Sequence, residues 1–259
     1  MPTDEEIRRA KDYILLRLSA ERLAVSSLDS AILSAARRII DIASRYGIPP
    51  EKFRFSANPQ LHAEVNAVLA TLREAVAARI EELDTFEDED DTFVAPALTQ
   101  ETNGKTFHER LAEYVARWGY ELEATIAAAG LEGIKDNAEI LRGVREYIGN
   151  TYDNPWIIGH LGEGDAVRLQ SIPHYGKGKP IASHTALAML LTTTIAAGWM
   201  QNWARINAGK RGYYVFRGSS YPCEICDEQV GFLHDVNDLD GLPPYHPHCV
   251  CYAVYTDQI

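Results

Sequence analysis

All four cysteines of this 259-residue chain fall within one short stretch near its end, as Cys223-Glu-Ile-Cys226 and then His246-Pro-His-Cys249-Val-Cys251. Cys-x-x-Cys in a tight turn aims two sulfurs at a single tetrahedral ion, with metal–sulfur distances near ~2.3 Å. His246 and Cys249 repeat that spacing, and borderline-soft zinc accepts imidazole beside thiolate. Cys249 and Cys251 lie two apart, so on a strand both would face one side. The candidate ligands are therefore Cys223, Cys226, His246, Cys249 and Cys251, one more than a tetrahedron needs. The set Cys223, Cys226, His246 and Cys249 is favoured, with Cys251 the rival of His246 and with His234 and His248 behind them. Four protein ligands close the coordination sphere. One structural Zn²⁺ per chain is expected, stabilising a segment too small for a core of its own, with no catalytic role.

Other uses of the same residues are weaker. Two disulfides would need an oxidising compartment. The opening MPTDEEIRRAKDY has no basic segment leading into an apolar run, so no signal peptide and a reducing cytoplasm are expected. Four packed thiols would not gather in one polar tail. His62-Ala-Glu64 with Pro222-Cys223-Glu-Ile-Cys226 spells the His-x-Glu and Pro-Cys-x-x-Cys signature of zinc nucleobase deaminases, in which Glu moves protons. Here roughly 160 residues separate the halves, the intervening pattern is helical where that fold needs strands, and HPHCVC is left without a role. His62 and Glu64 read more simply as the first turn of a helix, where an acid favours the dipole. No Gly-x-Ser-x-Gly, His-Glu-x-x-His or phosphate-binding glycine loop occurs. His160 and His174 fall in a long irregular stretch and read as surface residues. The chain is not expected to be an enzyme.

Upstream of the cysteines the patterning is helical. Thr3 with Glu6 forms a capping box opening a helix to about Leu23. A second helix runs from Leu28 to Tyr46 with Ser27 as cap, ended by Gly47, Pro49 and Pro50. Asn58 and Pro59 open a third, with Leu61, Val65, Leu69, Leu72, Val76 and Leu83 on one stripe. Thr106 to Ala129 shows Phe107, Leu111, Tyr114, Val115, Trp118, Leu122 and Ile126 on one face. Asp136 to Ile148 and a helix from Ser183 to Ala208, uncharged as far as Ala204, follow, the two separated by a Gly-, Pro-, Asn- and His-rich connection over 150–180. The aromatic, β-branched runs at 212–217 and CVCYAVY read as strands. The fold class expected is mainly α: a helical body with a small C-terminal zinc-stabilised β unit (α+β). The divisions are 1–92, an N-terminal helical region ending in the acidic linker DTFEDEDD; 93–210, a second helical region; and 211–259, the metal-binding β segment.

A net charge of -12 with no basic cluster repels phosphate backbones, so nucleic-acid binding is not expected. From Ile181 to Ala204 no charged residue occurs, but the threonines and flanking polar residues leave fewer than the ~20 apolar residues a span requires, so this is a core helix and no membrane is involved.

With these residues in view, the tail resembles the Mu F-like head morphogenesis (minor capsid) family of tailed bacteriophages. Members show Cys-x-x-Cys, a variable Gly-containing stretch, then PP-x-HPNCRC. Pro243, Pro244, His246, Pro247, Cys249 and Cys251 stand in those places here, while His248 and Val250 replace the family's Asn and Arg. The Thr-rich helix leading through Asn207-Ala-Gly209 into a strand is also similar, and the resemblance spans roughly 138–255. It implies a structural protein of the virion, assembled in the bacterial cytoplasm and located in the capsid interior or at the portal vertex. The implied partners are the portal protein, the major capsid protein, or both, and the role is head morphogenesis or DNA ejection. A non-viral zinc-stabilised interaction module is the other structural reading.

Overall fold

The computed structural model describes residues 1–85, 95–102, 104–131, 133–134, 136–147, 183–220, 222–246 and 249–258. The fold is mainly helical. Among the described residues its α-helices are α1 (Asp4–Arg45), α2 (Pro59–Glu81), α3 (Ala95–Thr99), α4 (Phe107–Leu131), α5 (Asn137–Tyr147), α6 (Ser183–Ile206) and the single turn α7 (Glu224–Asp227). The strands β1 (Gly212–Phe216), β2 (Leu233–Asp235) and β3 (Tyr252–Thr256) form one antiparallel sheet in the order β2-β1-β3. Much of the acidic linker and the whole 150–180 connection, with His160 and His174, lie outside the described residues.

The capping box forms as the sequence requires. The Glu6 amide donates to Thr3 Oγ1 at 3.2 Å, and the Thr3 amide donates to Glu6 Oε2 at 2.8 Å. The expected break before Leu28 does not occur, and α1 is one helix of 42 residues. Ser27 caps nothing. Ala20, Ala24, Leu28, Ile32 and Ala36 are all buried at a constant spacing of four, so the stripe runs straight through the serines. A few tenths of a kcal/mol of unfavourable serine propensity cannot interrupt a helix that buries such a stripe on both sides. Gly47 does end it, with φ of 63°. Asn58 caps α2 by accepting from the Gln60 and Leu61 amides at 2.8 and 3.3 Å, with Pro59 in the first turn.

The chain divides into two compact units. Unit 2 comprises 26–79 and 108–188, and the regular elements among its described residues are all helices. Its core takes Leu28, Ile32, Ile39, Ile40, Leu61, Val65, Leu111, Trp118 and Ile126, all nearly inaccessible. Gly130 presses against the backbone at Pro50 and Glu51, where an added Cβ would sit 2.2 Å from the Glu51 nitrogen. The start of α6 is closed by a buried carboxylate: Glu121 accepts from the Ser183 amide (3.1 Å to each oxygen) and from Ser183 Oγ at 2.7 Å. No helix among the described residues is long and apolar enough to cross a membrane. In α6 the buried hydroxyl of Thr194 donates back to the Leu190 carbonyl at 2.8 Å, which is how a threonine-rich helix tolerates burial.

Unit 1 comprises 1–25, 80–107 and 189–259. Here the start of α1 and the end of α6 pack on the sheet. Tyr13 stacks on Trp203 at 4.4 Å, and Trp203 Nε1 donates to the Ala253 carbonyl at 2.9 Å. All five residues of β3 are buried. Alternate residues of a strand face opposite sides, so both faces of β3 are covered. In register, Tyr213 of β1 lies between Tyr255 of β3 and His234 of β2, and its ring stacks on His234.

Candidate metal centre

The cysteines lie at the end of the sheet where β1 finishes and β3 begins. Gly218 makes this possible. A Cβ there would sit 1.9 Å from the Val250 carbonyl oxygen, so only glycine lets the segment carrying Cys249 and Cys251 lie against the end of β1. The chain then turns into α7. Cys223 is its N-cap residue, extended at φ −147°, and Cys226 falls three residues on. Residues three apart in a helical turn share a face, which brings the two sulfurs to one side. The Asp227 amide closes the turn on the Cys223 carbonyl at 2.9 Å, and Arg217 donates to the Asp227 carboxylate. In the second half the Cys249 amide donates to the His246 carbonyl at 3.1 Å, a turn that places imidazole and thiol together.

The five expected ligands fall into two neighbouring groups of three that share one cysteine. The ligand atoms of Cys223, Cys226 and His246 lie within 4.8 Å of one another, and so do those of Cys226, Cys249 and Cys251. Cys226 belongs to both groups. His246 Nε2 is 3.3 Å from Cys223 Sγ and 3.1 Å from Cys226 Sγ, while Cys226 Sγ is 3.9 Å from Cys249 Sγ. A zinc tetrahedron with ordinary bond lengths has edges of about 3.8 Å between sulfurs and about 3.6 Å between sulfur and nitrogen. The cluster therefore has the donor chemistry, and roughly the size, of a group that could hold a metal ion. No disulfide joins the four cysteines. Cys226, Cys249 and Cys251 are buried, and Cys223 is partly exposed.

The thiols influence one another strongly. Cys249 is pulled well below the usual thiol range, chiefly because the Cys251 thiol hydrogen-bonds to it. Cys251 is driven up by the same bond and by burial, and burial also raises Cys226. A cluster in which one sulfur is readily a thiolate and its neighbours hold protons is one from which a metal ion displaces protons as it binds.

The remaining candidates sit elsewhere. His234 is buried in the sheet, its Nε2 3.0 Å from the Gln229 carbonyl, and it belongs to neither ligand group. His248 lies outside the described residues. Glu64, half of the deaminase-like pattern, accepts from Arg45 Nη2 and from the Tyr46 hydroxyl at 2.7 Å each, within unit 2. The cysteines belong to unit 1, and neither ligand group includes His62 or Glu64.

Sequence reasoning missed Arg17 and Glu21 of α1. Arg17 is fully buried. Its Nη2 donates to the Cys249 carbonyl at 2.7 Å, and its Nε lies 3.0 Å from Glu21 Oε1. The signal was present: two opposite charges four apart, on the same stripe as buried Ala10, Ile14 and Ala24.

The fold and this cluster define a class: a mainly helical protein whose small antiparallel sheet ends in a Cys/His cluster fit for a metal ion. Comparison of the chain with known protein families, with curated proteins and with solved structures gives no match.

Proposed function

We propose that this chain is a structural minor head protein of a tailed bacteriophage or prophage, and that its cysteine cluster holds one structural Zn²⁺ per chain. The observation that carries the reading is the convergence of Cys223, Cys226, His246, Cys249 and Cys251 at one end of the sheet. That convergence gives physical sense to the Cys-x-x-Cys … Pro-Pro-x-His-Pro-x-Cys-x-Cys pattern in which the resemblance to Mu F-like proteins resides. Four ligands from these five leave no open position for a substrate, so the ion stabilises and does not catalyse. An acidic, largely helical protein with a closed metal site suits an assembly component that binds the portal or the major capsid protein within the virion.

Two measurements test this. Co-expression with the portal protein encoded nearby should give co-purification, and mass spectrometry of purified virions should find the chain at low copy. If neighbouring genes encode no portal, terminase or capsid protein and no virion contains the chain, the head-protein reading is lost and a non-viral interaction module takes its place. The metal is tested separately, by elemental analysis of the reduced protein. The expected result is about one zinc per chain, and a metal-free, fully folded protein would overturn the structural role.

A further inference from the structure

We propose that Arg17 supplies the positive charge that balances the metal–thiolate centre, making a residue of the first helix part of the metal site. The proposal rests on the reading of the cysteine cluster as a metal site. A divalent ion held by three thiolates and a neutral imidazole carries a net charge of about -1, and four thiolates bring it to about -2. Such a charge, largely shielded from water, is strongly unfavourable unless a cation lies beside it.

Arg17 is placed for that role. Its side chain is wholly inaccessible, and its Nη2 holds the carbonyl of Cys249, a ligand candidate. Burial is the main influence on the guanidinium and disfavours its charge, while Glu21 and then Cys249 and Cys251 act in the opposite sense. Glu21, its ion-pair partner, occupies the Nε edge and keeps 13 % of its side chain exposed. Nη1 is buried with no hydrogen-bond partner among the described residues, and Nε, though 3.0 Å from Glu21 Oε1, makes no hydrogen bond of good geometry either. A fully buried arginine with one edge unused is hard to explain by packing, since an apolar residue of similar volume would fill the space without that desolvation cost. It is readily explained by a negative centre next to it. Arginine also suits the place because it stays charged under all working conditions.

The test measures Co²⁺ affinity of the full-length, reduced protein by competition with a chromophoric chelator, with the thiolate-to-cobalt absorption bands reporting the ligand set. Arg17→Gln keeps a donor but removes the charge, and should weaken binding by roughly 10–100-fold while leaving the band positions unchanged. Arg17→Lys keeps the charge and should stay within about threefold of the wild type. Ile14→Ala loosens the same helix without touching the charge and should also stay within about threefold. Equal affinities for Arg17→Gln and Arg17→Lys would overturn the proposal, as would an Ile14→Ala loss as large as that of Arg17→Gln. Should Arg17→Gln fail to fold, a tenfold or greater loss in the Arg17→Lys protein would also overturn it. A wild-type chain that binds no Co²⁺ would overturn the metal reading itself, and this proposal with it.

Discussion

Unit 2 and unit 1 solve the same problem with different materials. Unit 2 buries apolar residues such as Leu28, Ile32, Leu61, Leu111 and Ile126, and Asn58 and Glu121 hold the starts of helices. Unit 1 places four thiols, an imidazole and an arginine–glutamate pair beside a three-stranded sheet. The first kind of core loses stability by degrees when a methyl group is removed. The second is expected to be conditional, because buried polar groups contribute only when every partner is in place. The difference teaches where control can act. Under the proposed metal site, metal supply and redox state would act on unit 1.

The largest effect should come from removing the ion. Apparent binding energies for structural zinc are roughly 10–16 kcal/mol, so chelation or Cys226→Ser should abolish metal binding and the near-ultraviolet dichroism of the Trp203 and Tyr213 region, while most helical signal remains. Cys226 lies in both ligand groups and Cys251 in one, so Cys226→Ser should lose more metal than Cys251→Ser. Elemental analysis of the two variants decides this, and equal retention of metal would erase the contrast between the units.

Next is a cavity in unit 2. Ile126→Ala should cost about 2–5 kcal/mol in denaturant unfolding and leave metal content at the wild-type level. A loss of metal in this variant would show that the two cores are not separable.

A smaller effect concerns pH. Burial pushes the Glu21 carboxyl up from 4.5 to about 7, against the opposing pull of Arg17. In that window the folded chain holds a proton that the unfolded chain has released, so this group's contribution to stability falls as the pH rises from about 4.5 to about 7. Glu21→Gln should remove that slope, improving relative to wild type at pH 8 compared with pH 5. Urea titrations at both values check the sign, and parallel curves would sink it.

The smallest effect is the cap of α2. Asn58→Ala should cost about 1 kcal/mol, shift only the unfolding of unit 2, and leave Co²⁺ binding unchanged.

The legible parts of the molecule were those governed by near neighbours. The α2 cap and stripe, the Gly47 terminus, the capping box at Thr3 and the helical start at Ser183 depend on spacings of a few residues. The same holds for each half of the cysteine pattern, since three-residue spacing fixes which side chains share a turn. The expected break near Ser27 was misread for the opposite reason. Serine is a good cap only where burial does not favour continuing, and the burial of Ala24 and Leu28 is a tertiary fact.

By itself, then, the sequence determined that the chain is mainly helical, that its cysteines fall in two short turns with the spacing of metal ligands, and that strands follow the last helix. The tertiary structure decided that the two turns meet, with Cys226 common to both groups. It also decided that Gly218 must be glycine to let Val250 approach, and that a charge from the first helix lies against Cys249. The physical reason is distance along the chain. A turn is selected by the torsions and donors of adjacent residues. The Arg17 side chain and the Cys249 carbonyl are 232 residues apart, and only the folding of α1 onto the sheet brings them together.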